Sequence, residues 1–206
     1  MEYILKYFPE LTEIQRNQMA ALENLYPEWN AKINVISRKD IDNLEINHIL
    51  HSLGLVKFVK FTPDTRVMDL GTGGGFPAIP LAVYYPEVTF HLVDRIGKKL
   101  KVAQDIAERI GLTNVTIQHG DVKEVKGKFD FVVSRAVMPL GDMVPLVKRF
   151  IASEDHNAVP NGLLCLKGGD LSGEVQQFKN QALIDDLSSY FKEDFFKTKK
   201  ILYLPL

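Results

Sequence analysis

From residue 61 onward the chain alternates between short apolar runs and stretches with helical spacing. "RVMDL" (66–70), "TFHLVD" (89–94), "VTIQ" (115–118), "FDFVVSRA" (129–136) and "GLLCLK" (162–167) have the length and side chains of strands. Between them, "GKKLKVAQDIAERIGL" (97–112) puts Leu100, Ala103, Ile106 or Ala107, and Ile110 on one face, and Gly111 closes its C-terminus. Residues 138–152 and 171–187 read as further helices, the first weakened by Pro145. Strands alternating with helices predict a doubly wound α/β domain whose mostly parallel sheet is covered on both faces.

Residues 1–60 follow another pattern. Positions 12–34 predict a helix with Thr12 as its N-cap, broken near Pro27, and positions 40–59 predict a second with Asp40 as its N-cap. An N-terminal helical extension (1–60) therefore precedes the sheet domain (61–206). Residues 153–161 form a polar loop, and the tail "FFKTKKILYLPL" supplies a sixth strand.

Composition narrows the setting. The chain has 206 residues, 46% hydrophobic and 25% charged, which fits a soluble globular protein. No apolar run approaches the roughly 18 residues of a membrane span. The N-terminus "MEYILKYFPE" lacks a basic n-region and a cleavage site, so no signal peptide is expected, and the cytoplasm is the expected address. The single cysteine, Cys165, excludes an internal disulfide and reads as a buried core thiol. A net charge of −1 gives no overall sign of a polyanionic partner. Contact with nucleic acid would need local faces built from Arg38–Lys39, Lys98–Lys99–Lys101, Lys123–Lys126–Lys128 or Lys197–Lys199–Lys200, each of which is ordinarily a solvated surface.

The stretch most informative about chemistry is "RVMDLGTGGGFPAIP" (66–80), where a strand runs into a glycine-rich turn. Such turns are where doubly wound sheets bind nucleotide-like ligands. Two readings compete. Gly73, Gly75 and Ala78 satisfy a dinucleotide fingerprint, with Asp94 following about 20 residues later as a ribose-binding acid. Asp69 argues the other way, because a carboxylate just before the turn would repel a pyrophosphate and suits a cationic ligand. Asp69-x-Gly71-x-Gly73 fits S-adenosylmethionine, which has a sulfonium and no phosphate; the plainer alternative is that Asp69 only caps the turn. Asp94 is placed to bind ribose hydroxyls, and Asp121 and Val122, after the third strand, to meet the adenine; a solvated acid and a plain turn are the alternatives.

Together these residues resemble the RsmG (GidB) methyltransferases, which modify N7 of one guanine in small-subunit (16S) ribosomal RNA. The resemblance spans nearly the whole chain and rests on "NHILHS" (47–52), "MDLGTGGGFPAIPLA" (68–82), "VDRIGKK" (93–99), "VVSRA" (132–136) and "LKGG" (166–169). It implies a Rossmann-like class I methyltransferase domain of six or seven strands, with S-adenosylmethionine as cofactor and small-subunit rRNA or its ribonucleoprotein particle as partner. It implies Gly71 and Phe76 lining the donor, with Asp94 at the ribose, Asp121 and Val122 at the adenine, and Arg135 bordering the methyl-transfer pocket. Asn47 and His51 stand where the family commonly has Arg and Asp.

The chemistry accounts for what the sequence lacks. Guanine N7 carries a free lone pair, so no general base is assigned, and collinear positioning of donor and acceptor is worth about 7–11 kcal/mol. Arg135 is read as a contact to the O6 edge of guanine or to a nearby phosphate, against a structural ion pair. Lys167 is read as an RNA-phosphate contact, against a solvated lysine. His48 and His51 share a helical face, but no metal is expected without a further ligand cluster. A monomer is expected. The rivals are a nicotinamide-dependent oxidoreductase and a noncatalytic RNA-binding factor.

Overall fold

The computed structural model describes residues 1–135 and 137–206; Ala136, the last residue of the Ser134-Arg135-Ala136 motif, lies outside the described residues. The predicted strands form β1 (Arg66–Leu70), β2 (Thr89–Asp94), β3 (Val115–His119), β4 (Phe131–Arg135) and β5 (Gly162–Gly168), all parallel. The sheet has seven strands in the order β3-β2-β1-β4-β5-β7-β6. The tail forms β7 (Lys199–Pro205), which lies antiparallel between β5 and β6 (Leu183–Asp186).

The seventh strand overturns the helix expected over 171–187. Only Ser172–Val175 is α-helical (α7 below), a tight turn follows at Gln176–Phe178, and the segment then becomes β6. The apolar spacing matches a helix, but Gly173 and the β-type pair Leu183–Ile184 favour ending it early, and β7 offers a free edge.

The helices of the sheet domain are α4 (Ala78–Tyr84), α5 (Gly97–Arg109), α6 (Leu140–Val147) and α7, and those of the extension are α1 (Glu2–Tyr7), α2 (Glu13–Asn30) and α3 (His51–Phe58). Thr12 caps α2 as expected, in a reciprocal box with Gln15. The helix is not broken at Pro27, which sits in its last turn, where the lost N–H costs one bond near an end that frays anyway. Asp40 does not cap a helix: its carboxylate accepts from Asn47 Nδ2 (2.9 Å) and Ser37 Oγ (3.2 Å). A tight turn (Ile41–Asn43) and a π-helical stretch (Glu45–Leu50) replace the expected first turns.

Alternation along the strands separates two apolar layers. Val67, Phe131, Val133, Leu164 and Leu166 face the layer that contains the extension, whereas Met68, Leu70, Val132, Leu163 and Cys165 face α6. Cys165 is buried, and burial pushes its thiol up to about 12, as befits a core residue. Helix α2 lies across the ends of α4 and α5. Gln15 Nε2 donates to the Val83 and Tyr84 carbonyls, Gln18 Nε2 donates to the Ile110 carbonyl, and Trp29 Nε1 donates to Asp105 at 2.6 Å. The extension thereby satisfies carbonyls that the two helices leave open at their C-termini. Among the described residues no helix is long and apolar enough to cross a membrane.

Candidate donor site at the glycine turn

The turn after β1 is held from both ends. Gly71 and Thr72 donate their N–H groups to the Val93 carbonyl, and Gly73 N–H donates to Asp94 Oδ2 at 2.8 Å. Gly71 has φ +70° and Gly75 has φ +107°, backbone that side chains disfavour. Space is short as well: a Cβ on Gly71 would lie 2.7 Å from Val137, and one on Gly75 would lie 2.5 Å from Ile79. The second Asp94 oxygen accepts from Ile96 N–H at 2.8 Å, so both oxygens are oriented by backbone before any ligand arrives.

Above the carboxyl ends of β1, β2 and β3 opens a cavity of about 510 Å³, bordered by Gly71, Asp94, Ile96, Lys99, Val122 and Val137 among others. Of the expected donor contacts, Gly71, Asp94 and Val122 line it. Asp69, Gly73, Phe76, Asp121 and Arg135 stand outside its wall.

Asp69 is fully buried behind the turn. One oxygen accepts from Thr72 Oγ1 (2.7 Å) and from the N–H of Ala78 (3.1 Å), the first residue of α4; the other oxygen has no partner among the described residues. The carboxylate therefore braces the turn, and it occupies the helix N-terminus on which a dinucleotide's pyrophosphate would sit. Burial pushes its pKa up to about 7, against the Thr72 and Ala78 hydrogen bonds and the Arg135 charge. A raised carboxyl pKa makes the native state hold a proton that the unfolded chain, with its carboxyl near 3.8, has released, so this group's contribution to stability falls as pH rises from about 4 to about 7. Asp69→Asn keeps an acceptor for Thr72 and Ala78 and removes that slope. Thermal melts at pH 5 and pH 8 are expected to show the variant gaining about 2–4 kcal/mol relative to the parent at the higher pH; an unchanged difference between the two pH values would refute it.

Phe76 is buried among aromatic and cationic partners. Tyr26 of the extension stacks on it at 4.4 Å, the His48 ring is 5.3 Å away, and the Arg135 guanidinium carbon lies 4.9 Å from its centroid. Tyr26 Oη also donates to the Gly74 carbonyl at 2.9 Å. Arg135 is half-buried with no hydrogen bond or ion pair among the described residues, and burial lowers its pKa to about 10. The structural ion pair weighed for it is thus absent among those residues. Burial, reinforced by Arg135, holds His48 neutral with a pKa of about 3. Among the described residues neither His48 nitrogen has a partner, and no group of three or more His, Cys, Asp or Glu side chains converges.

Two expected contacts are already engaged. Asp121 pairs with Arg95 and caps the turn at Val122–Glu124 through Lys123 N–H, which holds its carboxyl below the usual range. Lys167 is not solvated: its Nζ donates to the Met138 carbonyl (2.7 Å) and pairs with Glu174 (2.5 Å). Thr72, Tyr26, Val137 and Glu174 escape a reading of the sequence. Only Thr72, within hydrogen-bonding range of an Asp three residues earlier, carries a local signal. The basic clusters divide. Lys99 lines the cavity, and Arg38–Lys39 follow Val35, which packs against Gly74. Lys126 and Lys128 border the opposite end of the sheet beside Arg66 and Thr89, and Lys197 and Lys200 are paired with Asp194 and Asp186.

A seven-stranded sheet in this order, with a cleft at the glycine turn and an acid at the end of β2, is the fold of the Rossmann-like methyltransferases. The same fold occurs in the crystal structure of magnesium protoporphyrin IX methyltransferase from Synechocystis with bound SAM, with a TM-score of 0.59 at 13% identity, covering 92% of this chain and 97% of that one. Residues 15–202 match the family described as "GidB: rRNA small subunit methyltransferase G", and the chain belongs to that family. It is 62% identical over its whole length to the ribosomal RNA small subunit methyltransferase G of Phocaeicola vulgatus, covering 99% of that protein. It is 61% identical over 98% of both chains to the protein of the same name from Bacteroides thetaiotaomicron.

Proposed function

We propose that this chain transfers the methyl group of S-adenosylmethionine to N7 of a guanine in small-subunit ribosomal RNA, acting as a cytoplasmic monomer. The observation that carries the reading is the cleft at the carboxyl ends of β1–β3 in a chain of this family, bordered by a glycine turn and by an Asp94 that the turn itself pre-orients. Gly71 lets the donor approach the backbone, Asp94 accepts from the ribose hydroxyls, and Val122 packs against the adenine. Asp69, Gly73 and Phe76 act one step back by fixing the turn. When bound, the donor supplies the electrophilic methyl, and the protein's residues hold the guanine in line with it.

Arg135 is the group left to meet guanine O6, leaving the N7 lone pair free, or a neighbouring phosphate, since no protein partner uses its donors among the described residues. Burial keeps His48 beside it neutral, and the free lone pair of guanine N7 calls for no general base. Arg38, Lys39 and Lys99 form the cationic rim for RNA phosphates on the cleft side.

The test is transfer of labelled methyl from S-adenosylmethionine to small-subunit RNA from a strain lacking its own enzyme, followed by mass-spectrometric mapping. The expected product is one N7-methylguanine. No incorporation beside a working positive control, or label on another base, would overturn the assignment.

A further inference from the structure

The wall of the donor cleft opposite Asp94 is formed by Val137 and Met138, which belong to the short connection between β4 and α6. Val137 lies directly on the glycine turn, as its 2.7 Å approach to a Cβ on Gly71 requires, and it is partly exposed to the cleft. Helix α6 begins at Leu140 after Pro139, whose side chain supplies no cap. Among the described residues of this connection no side chain makes a hydrogen bond that would hold the wall in place.

It is fixed from outside. Glu174 of α7 places a single oxygen, Oε1, 2.7 Å from Leu140 N–H and 2.5 Å from Lys167 Nζ. Lys167, at the end of β5, also donates to the Met138 carbonyl at 2.7 Å. The two side chains are largely buried, at 10% and 19% exposure, so the pair is shielded from water and strongly felt. Met138 and Leu140 are thus gripped on both sides of Pro139, and the carboxylate also meets the positive end of α6. Neither Glu174 nor Lys167 lines the cleft.

We infer that Glu174 is a positioning residue for the methyl donor: with Lys167 it clamps the Val137–Met138 wall against the glycine turn and so sets donor affinity without touching the donor. This rests on the donor cleft proposed above. Glu174→Ala releases Leu140 N–H and strands a buried ammonium. Calorimetric titration with S-adenosylmethionine is expected to show Kd raised on the order of tenfold, with the KM for RNA and kcat at saturating donor within about twofold of the parent. Glu174→Gln keeps an oxygen on Leu140 N–H but loses the charge facing Lys167; it is expected to fall between, and it is the variant to read should the alanine protein not fold. In a cycle with Lys167→Met, the double variant is expected to be no weaker for donor than the worse single one, because both substitutions break the same clamp.

Hydrogen exchange of the 137–140 amides in ligand-free Glu174→Gln reads the clamp without any donor, so its result is separable from failure of the donor assignment; faster exchange there, with the α5 amides unchanged, is expected. Unchanged exchange at 137–140, donor Kd within about twofold of the parent in both Glu174 variants, or equal losses in donor Kd, RNA KM and kcat would each overturn the inference.

Discussion

Gly75→Ala is expected to weaken donor binding roughly 100-fold and to lower stability together. A Cβ there meets Ile79 Cγ1 at 2.5 Å and Tyr26 Oη at 3.2 Å, and the backbone φ of +107° is one that alanine resists. Strained backbone costs about 1–3 kcal/mol and overpacking about 1–3 kcal/mol more. Relief requires the turn to move away from Ile79, and with it Gly71 and Gly73, which border and orient the cleft. A loss of donor affinity of roughly 100-fold corresponds to about 2.7 kcal/mol of that strain. Gly111→Ala is the control: it also has positive φ (+71°), but nothing lies within 4 Å of its Cβ position. It should cost about 1 kcal/mol and leave donor affinity alone. Titration calorimetry and thermal melts on both variants decide the matter; parental affinity in Gly75→Ala would remove the turn from the donor site.

The second large effect concerns the extension. A chain starting at residue 61 is expected not to fold. Ile4, Phe8, Met19, Leu22, Tyr26, Ile49, Leu50 and Leu53 are all fully buried in one apolar layer with Ile79, Leu81, Ala103 and Phe131 of the sheet domain. Each large side chain contributes about 1.5–3 kcal/mol by burial, and their sum, about 12–24 kcal/mol, is at least comparable with the ~5–15 kcal/mol that separates a native domain from its unfolded state. Truncation would also uncover the α4 and α5 carbonyls now met by Gln15 and Gln18. The measurement is circular dichroism and size exclusion of the truncated chain. A cooperative melt with near-UV signal would mean that residues 1–60 are an appendage after all.

Much of this architecture is legible in the chain because its signals are local. The β-branched runs mark β1 to β5 within a residue or two, Thr12 and Gln15 announce the start of α2, and the glycines announce the turn. What escapes depends on partners distant in sequence. Leu183 and Ile184 read as a helical face until β7 is available to pair with them. Lys167 reads as a free cation because Glu174, on another element, is what pairs with it. Asp69 reads first as facing a ligand and only second as a cap; Thr72, three residues on, is its one local signal, and the Ala78 N–H that also turns it inward is supplied by the start of α4. The site residues that do line the cleft sit at strand ends, where a one-dimensional pattern maps directly onto position in the sheet.

The sheet order has a consequence for biosynthesis. Because β7 lies between β5 and β6, a growing chain that has already produced β6 has no neighbour to offer it, and the edge of β5, with Leu163 through Leu166, stays open. An interrupted copy therefore exposes unpaired backbone and apolar side chains of the kind that chaperones and proteases recognise. The β5 edge and β6 both wait on β7 for their pairing.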